Sequence, residues 1–290
     1  METSIVSQNQ SLQTLSIGED RLIDLWIQQN DSPQTRRSYT RTAQEFLSFV
    51  AKPVASVTRA DLQNYKNDLV ASDLRPASVN QRLAAVKSML SDLHRTGYLQ
   101  INVGAAVKLL KVPDRLAERI LEQQEVLKMI ALEENPRNHV LLEALYYTGA
   151  RVSELVALTW KDLQPRDQGG QVTLYGKGGK TRWVRLDARI WDAIQALRRD
   201  SGPDDPIFTS RKGGPLDASQ VWRIVRAAAK RAGIRGNVSP HWLRHGHASH
   251  ALDAGCPVHV VKDTLGHSSL ATTSRYAHAR PTESSSDYLR

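Results

Sequence analysis

Read by its apolar positions, the chain changes character twice. From Asp20 to about Gly97 the spacing is helical almost throughout. "RLIDLWIQQN" places Leu22, Leu25 and Trp26 on one face, and "SPQTRRSYTRTAQEFLSFVA" opens on Ser32 and Pro33, a helix-start pair. "TRADLQNYKNDLVAS" begins Thr58-x-x-Asp61, close to a capping box. In "RPASVNQRLAAVKSMLSDLHRTG" a stripe of Val79, Leu83, Val86, Leu90 and Leu93 ends at Gly97. Four helices with such stripes predict a small bundle.

The pattern then weakens around Pro113 and resumes as helices in "EQQEVLKMIALEE" and "RNHVLLEALYYTGARVSELVAL". In "QVTLYGKGGKTRWVRL" the period becomes two around a Gly-Lys-Gly-Gly turn, which predicts a β-hairpin. Helices follow near Ala188–Arg199, Ala218–Ala232 and Pro240–Ala254, with a last helical region holding Tyr276. The expected organisation is a polar lead-in over 1–17, a helical domain over 18–106 and a linker over 107–119. A mainly helical α+β domain with one small sheet or hairpin follows over 120–280, then a polar tail over 281–290.

Composition narrows the function. A formal net charge of +9 on 290 residues points to a polyanionic partner, and nucleic acid is the commonest. An inert basic surface is the plain alternative. The one cysteine, Cys256, forms no intramolecular disulfide. The first twenty residues lack an apolar signal core, and no apolar run approaches the ~20 residues of a membrane span. These features predict a soluble cytoplasmic protein with no membrane partner.

Four segments hold residues suited to chemistry. In "TGARVSEL", Gly149 reads as a helix stop and Arg151 opens the next helix. A guanidinium beside free backbone N–H groups seats a phosphate, though taken alone a solvated arginine is the more ordinary reading there. In "SPHWLRHGHASH", Ser239 can cap and Pro240 suits the first helical position, so His241 falls in the first turn with Arg244 three residues on. His241, His245, His247 and His250 also allow a zinc reading, or a plain histidine-rich helix. No glutamate sits inside the His241/His245 pair and no cysteine pair is present, so no metal is expected. "GKGGKTR" offers Lys177 and Lys180 on a glycine-rich turn without the spacing of a nucleotide-binding loop. "LGHSSLATTSRYAH" carries His267 and Tyr276.

Taken in order, Arg151, Lys177, His241, Arg244, His267 and Tyr276 form a recognisable series. The chain resembles the tyrosine recombinase (phage integrase) family, nearest its Xer-like simple members. That family reads A-R-x-S-E-L, G-K-G-x-K-x-R, H-x-L-R-H, and L-G-H followed by T-T and a tyrosine. All four are present here, and the resemblance covers roughly residues 18 to 280. It implies that the helical domain is a core-binding, SAM-like DNA-binding domain and that the second domain is catalytic.

The resemblance also implies roles. Tyr276 attacks the scissile phosphodiester to give a 3′-phosphotyrosyl link. Arg151 and Arg244 clamp the non-bridging oxygens, His241 and His267 complete the pocket by hydrogen bonding and proton handling, and Lys177 protonates the leaving 5′ oxygen. Glu154 stands behind Arg151 and orients it. The chemistry is coherent: a phenol with a pKa of about 10 needs cationic neighbours to become a nucleophile. Two fixed guanidinium forks remove the need for a metal, and the covalent link removes the need for ATP, so no cofactor is expected. Two features depart from the family: His247 stands where an aromatic or aliphatic residue is common, and "ARPTESSSDYLR" makes a poor helix. Tyr288 in that tail lacks the Gly-His spacing of a nucleophile.

For DNA, Arg223, Arg226 and Lys230 share a helix face in "LDASQVWRIVRAAAKRAG". In the first domain Arg37 and Arg41 share a face, as do Arg75, Ser78 and Arg82. Together they predict a basic clamp on duplex DNA. The expected activity is site-specific recombination through a Holliday junction, by tetramers on paired sites. A type IB topoisomerase-like relaxing enzyme and a silent DNA-binding accessory protein of the same fold are the alternatives.

Overall fold

In a computed structural model the described residues, 18 to 279, form two compact units that divide between Pro113 and Asp114. The lead-in over 1–17 and the tail, with Tyr288, lie outside the described residues.

The first unit contains four helices: α1 (Glu19–Gln28), α2 (Pro33–Val50), α3 (Arg59–Ala71) and α4 (Pro76–Arg95). The start signals work as their chemistry requires. Ser32 Oγ accepts from the Thr35 N–H, and Thr58 and Asp61 exchange the two bonds of a capping box. The α4 stripe from Val79 to Leu93 is at most 1% exposed and meets Phe46, Leu62 and Met89. Leu25 points outward instead, while Trp26 is buried and stacks on Tyr39 with ring centroids 4.6 Å apart.

The second unit is built around α6 (Pro136–Thr148), which is buried on most sides between α5 (Gln123–Ala131), α8 (Ala188–Gln195), α10 (Pro240–Asp253) and the sheet. Leu141, Leu142 and Leu145 have no exposed surface. The sheet is antiparallel in the order β1 (Leu163–Arg166), β2 (Gly169–Tyr175), β3 (Thr181–Asp187). The hairpin β2–β3 pairs Tyr175 with Thr181 and Val172 with Val184. The third strand, β1, was not expected: it is four residues long, mostly exposed and contains Pro165, so it has no alternation to read. Its partner β2 supplies the register. Helix α9 (Ala218–Arg231) closes the core with Val221 and Val225, and α11 (Val258–Leu265) and α12 (Leu270–Ala279) follow α10.

Candidate active site

The pocket begins at the end of α6. Gly149 caps that helix with φ 58°, in the left-handed region that favours glycine. A Cβ there would also lie 2.7 Å from Leu265 Cδ2 and 2.9 Å from His247 Cδ2, so both packing and backbone demand glycine. This close approach explains His247: its ring fills the space against the glycine turn, and burial lowers its pKa to about 4. The turn delivers Arg151 to the N-cap of the short helix α7 (Val152–Val156).

The sequence reading left the N–H groups of that helix free for phosphate. Instead, Glu154 occupies the first of them. Its carboxylate accepts from the Arg151 backbone N–H at 2.8 Å and from Arg151 Nη1 at 2.7 Å. It also accepts two bonds from Arg182 on β3, at 2.9 Å and 2.7 Å, while Arg182 Nε donates to the Thr264 carbonyl at 2.7 Å. Burial pushes the Glu154 carboxyl up, but the bonds from Arg182 and Arg151 outweigh it and pull it down to about 2. One carboxylate thus fastens α7, the hairpin and α11 together and leaves Arg151 half-buried at the pocket edge.

Helix α10 brings the second arginine. Pro240 sits at its first position as expected, but the Ser239 side chain makes no capping bond. Arg244 is 5% exposed. It donates to the carbonyls of Gly149 and, at 2.6 Å, Leu265, so it joins the α6–α7 turn to the end of α11. Burial and the Arg151 cation lower its pKa to about 10, so it stays charged at neutral pH. His241, one position into the helix, is exposed. Its pKa is lowered by partial desolvation and by the cations of Arg244 and Arg151.

Tyr276 lies on α12 and is 6% exposed. Its ring packs with Ile120, Ala248, Val261 and Leu265 in a small cluster separate from the main core. It lies parallel to the His267 ring, with centroids 6.2 Å apart and 8° between planes. The hydroxyl is 2.9 Å from His245 Nδ1. His267 is fixed in turn by Thr273, whose Oγ1 lies 2.9 Å from Nδ1 and which has no exposed surface. Burial, with Arg244 and other cations, lowers the pKa of His267 and of His245 to about 4 each. Burial raises that of Tyr276. A cleft of about 780 Å³ opens beside these groups, lined by Arg151, Lys180, Arg182, Trp183 and His267 among others.

Among the named residues, the structure therefore joins Arg151 with Glu154, and Tyr276 with His267, with Arg244 bridging the two sides. Lys177 lies in the hairpin turn, whose base passes Glu154; its side chain lies outside what the structure describes. Three residues that bond to the named groups were not assigned from sequence: Arg182, His245 and Thr273. Each lies inside a segment already singled out, the last positions of G-K-G-x-K-x-R and H-x-L-R-H and the T-T pair. Among the described residues no group of three or more His, Cys, Asp or Glu side chains could hold a metal ion. His250 instead meets Tyr146 Oη and the Leu121 carbonyl, both at 2.9 Å.

Away from the pocket, Arg223, Arg226 and Lys230 are exposed on α9, with Arg226 over the Trp222 ring. In the first unit Arg37, Arg41, Ser78 and Arg82 line one groove, where Arg41 and Arg82 both bind Glu45, at 2.8 Å and 2.7 Å. Arg75 is exposed at the N-cap of α4.

Comparison with known proteins identifies the family to which both units belong. Residues 119–283 fit the model of the phage integrase family, and residues 21–97 fit the phage integrase N-terminal SAM-like domain. The tyrosine recombinase XerC of Xanthomonas campestris pv. campestris is 33% identical over 275 residues, covering 91% of this chain and 84% of the relative. The tyrosine recombinase XerD of Vibrio vulnificus is 30% identical over 283 residues, covering 92% of each. Among solved structures, a lambda integrase dimer bound to a core site matches in fold with a TM-score of 0.75, at 19% identity, covering 91% of this chain and 95% of that one. The glycine-turned arginine, the carboxylate behind it, the buried second arginine and the tyrosine beside two histidines thus sit in a chain that belongs to the phage integrase family and is a Xer-like tyrosine recombinase.

Proposed function

We propose that Tyr276 is the nucleophile with which this recombinase cuts duplex DNA at a specific site. The phenol oxygen attacks the scissile phosphorus, the P–O5′ bond breaks, and a 3′-phosphotyrosyl link holds the strand for rejoining. Arg151 and Arg244 hold the non-bridging oxygens, as charge-assisted donors whose geometry is set before DNA arrives. Glu154 keeps Arg151 in place. His241 and His267 donate to the same phosphate, and Lys177 protonates the leaving O5′ atom. The reaction runs without metal or ATP, because two fixed guanidinium forks carry the negative charge and the bond energy stays in the link.

The observation that carries this reading is the burial of Tyr276 against His267 and His245, beside an arginine that bonds the backbone of both flanking turns. A tyrosine serving only the core would not need its hydroxyl enclosed by imidazoles and cations. Exposed arginines on α9 and on the bundle groove supply contacts to DNA phosphates, so affinity falls with salt. Tetramers on two paired sites exchange strands through a Holliday junction. No described helix is long and apolar enough to cross a membrane. On the proposed activity, the protein works where its DNA lies, on the nucleoid in the cytoplasm.

The test is a nicked duplex that loses the short fragment bearing the freed 5′ hydroxyl after cleavage and so traps the covalent complex. The wild type accumulates it in excess EDTA, and Tyr276→Phe accumulates none while binding DNA with unchanged affinity. Trapping by the phenylalanine variant, or a strict requirement for metal, would overturn the reading.

A further inference from the structure

The arginines of the first unit are not alike. Arg37, Arg41 and Arg75 are exposed, whereas Arg82 on α4 is half-buried: 24% of its side chain is exposed, against 70% for Arg41. Its Nη1 donates to Glu45 Oε2 at 2.7 Å, a bond from α4 to α2 across 37 positions. Arg41 Nε donates to the other carboxylate oxygen, Oε1, at 2.8 Å. We propose that Arg82, held by Glu45, is a residue with which this recombinase reads sequence, and that it reads a guanine. The inference rests on the protein binding duplex DNA at a specific site.

The carboxylate separates a base reader from a phosphate contact. A phosphate is best met by an unpaired cation. Here Glu45 repels a phosphate and cancels one of the two charges that Arg41 and Arg82 bring. Arg82 is therefore poorly suited to the backbone and well suited to an uncharged base edge. A guanidinium carries five N–H donors in one plane. One bonds Glu45, and the fork that this bond orients keeps donors for DNA. Guanine presents two acceptors, N7 and O6, side by side in the major groove. Adenine and thymine each present one there, and cytosine presents a donor. A fixed planar fork matches the guanine pair; a lysine ammonium has no such plane.

The surroundings fit the same role. Arg82 lines a groove of about 640 Å³ with Arg37, Ser38, Thr42, Ser78 and Gln81. The Gln81 amide offers an acceptor as well as donors, which an adenine edge can use and a phosphate cannot. The ion pair is rooted on the bundle core. Tyr65 is 2% exposed, and burial and Glu45 push its hydroxyl up to about 12, with Arg82 opposing. Next to Arg82 in the chain, Leu83 has no exposed surface. Holding the fork before DNA arrives removes rotamer freedom that binding would otherwise have to freeze. The exposed arginines keep that freedom and can follow phosphates.

The experiment selects bound sequences from a random duplex pool with the full chain and its variants. Affinity is then measured on the selected site, and on single-base-pair changes of it, across salt concentrations. The wild type is expected to favour guanine at one position of each half-site by ~5–150-fold over the other bases. Arg82→Lys keeps the charge but not the fork. That one preference should vanish, while the salt dependence and the affinity for sites lacking the guanine stay unchanged. Arg82→Gln should move the preference to adenine, whose edge a glutamine amide matches. Glu45→Gln loosens the fork, so the preference should weaken and the salt dependence steepen as Arg82 turns to a phosphate.

A lysine variant with the same discrimination as the wild type would overturn the inference. So would an Arg82→Gln variant that binds every sequence more weakly by the same factor and lowers the salt slope by about one, the mark of a phosphate contact. Thermal melts run in parallel identify a pair that only joins α2 to α4. Such a pair would lower the melting temperature of both Arg82 variants and leave the selected sequence as it was, which also overturns the inference. In each of these cases site-specific binding stands. A wild-type chain that selects no sequence at all would take that reading down as well.

Discussion

On one side of the pocket a carboxylate that is 2% exposed on its side chain holds two guanidinium groups; on the other, a tyrosine hydroxyl rests beside imidazoles whose pKa values are pushed down to about 4. The two sides do different work. On the ionic side Glu154, itself held by Arg182, fixes Arg151 in one orientation, which on the proposed mechanism meets a charge that arrives only with DNA. A buried ion pair costs desolvation, and this one offsets the cost by filling both carboxylate oxygens with donors. On the other side the imidazoles are kept neutral by burial and cationic neighbours, beside a tyrosine that on the proposed mechanism must release and regain a proton. Catalysis by preorganised charge and by proton transfer needs these opposite treatments next to one another.

Glu154→Ala should break the ionic side most severely. It strands two arginines without their partner and should cost about 3–5 kcal/mol of stability together with cleavage. His267→Ala, on the other side, strands only the buried Thr273 hydroxyl, so it should cost about 1–3 kcal/mol and slow cleavage by ~10²–10³-fold. Chemical denaturation and single-turnover cleavage of both variants separate the two kinds of loss; equal destabilisation would erase the distinction. A similar rate loss is expected for Lys177→Ala, but only with an ordinary substrate. A 5′-phosphorothiolate leaving group needs no proton and should restore the rate; a folded, DNA-binding variant that is not restored would remove Lys177 from the acid role.

The smallest effect separates the two sides by pH. Histidines whose folded pKa is depressed favour the folded state when neutral. Their contribution is complete above the ordinary value of 6.5 and is lost as pH falls toward about 4, for His245, His247 and His267. Glu154 holds its contribution above the ordinary carboxyl value of 4.5 and loses it as pH falls toward about 2. Thermal melts should therefore decline in two windows. His247→Gln should make only the upper one shallower, since His245 and His267 still titrate there, and Glu154→Gln should flatten only the lower. A melt with no slope between pH 6.5 and 5 would contradict the neutral histidine side.

Much of this was legible along the chain because the elements were local. The α4 stripe, the Thr58 capping box, the Gly149 stop and the hairpin depend on neighbours a few residues away. The strand β1 was not, since a four-residue exposed strand with Pro165 takes its conformation from β2. The same limit applied to the pocket. Arg151 and Tyr276 stood out only as members of the ordered series of motifs that resembles the phage integrase family, whereas the bond from Arg182 to Glu154 spans 28 positions and that from His245 to Tyr276 spans 31. Pairings of that range are set by tertiary packing, so the residues were visible inside their segments without their partners being visible.

Which atom carries the DNA is the point on which both sides of the pocket depend. Covalent complex trapped on the nicked duplex, digested with protease and nuclease and sequenced by mass spectrometry, identifies it directly. The expected adduct is a nucleotide joined through a 3′ phosphate to the peptide holding Tyr276. An adduct on Tyr288, on a serine of the tail or on any histidine would contradict the account, as would cleaved DNA with no peptide attached.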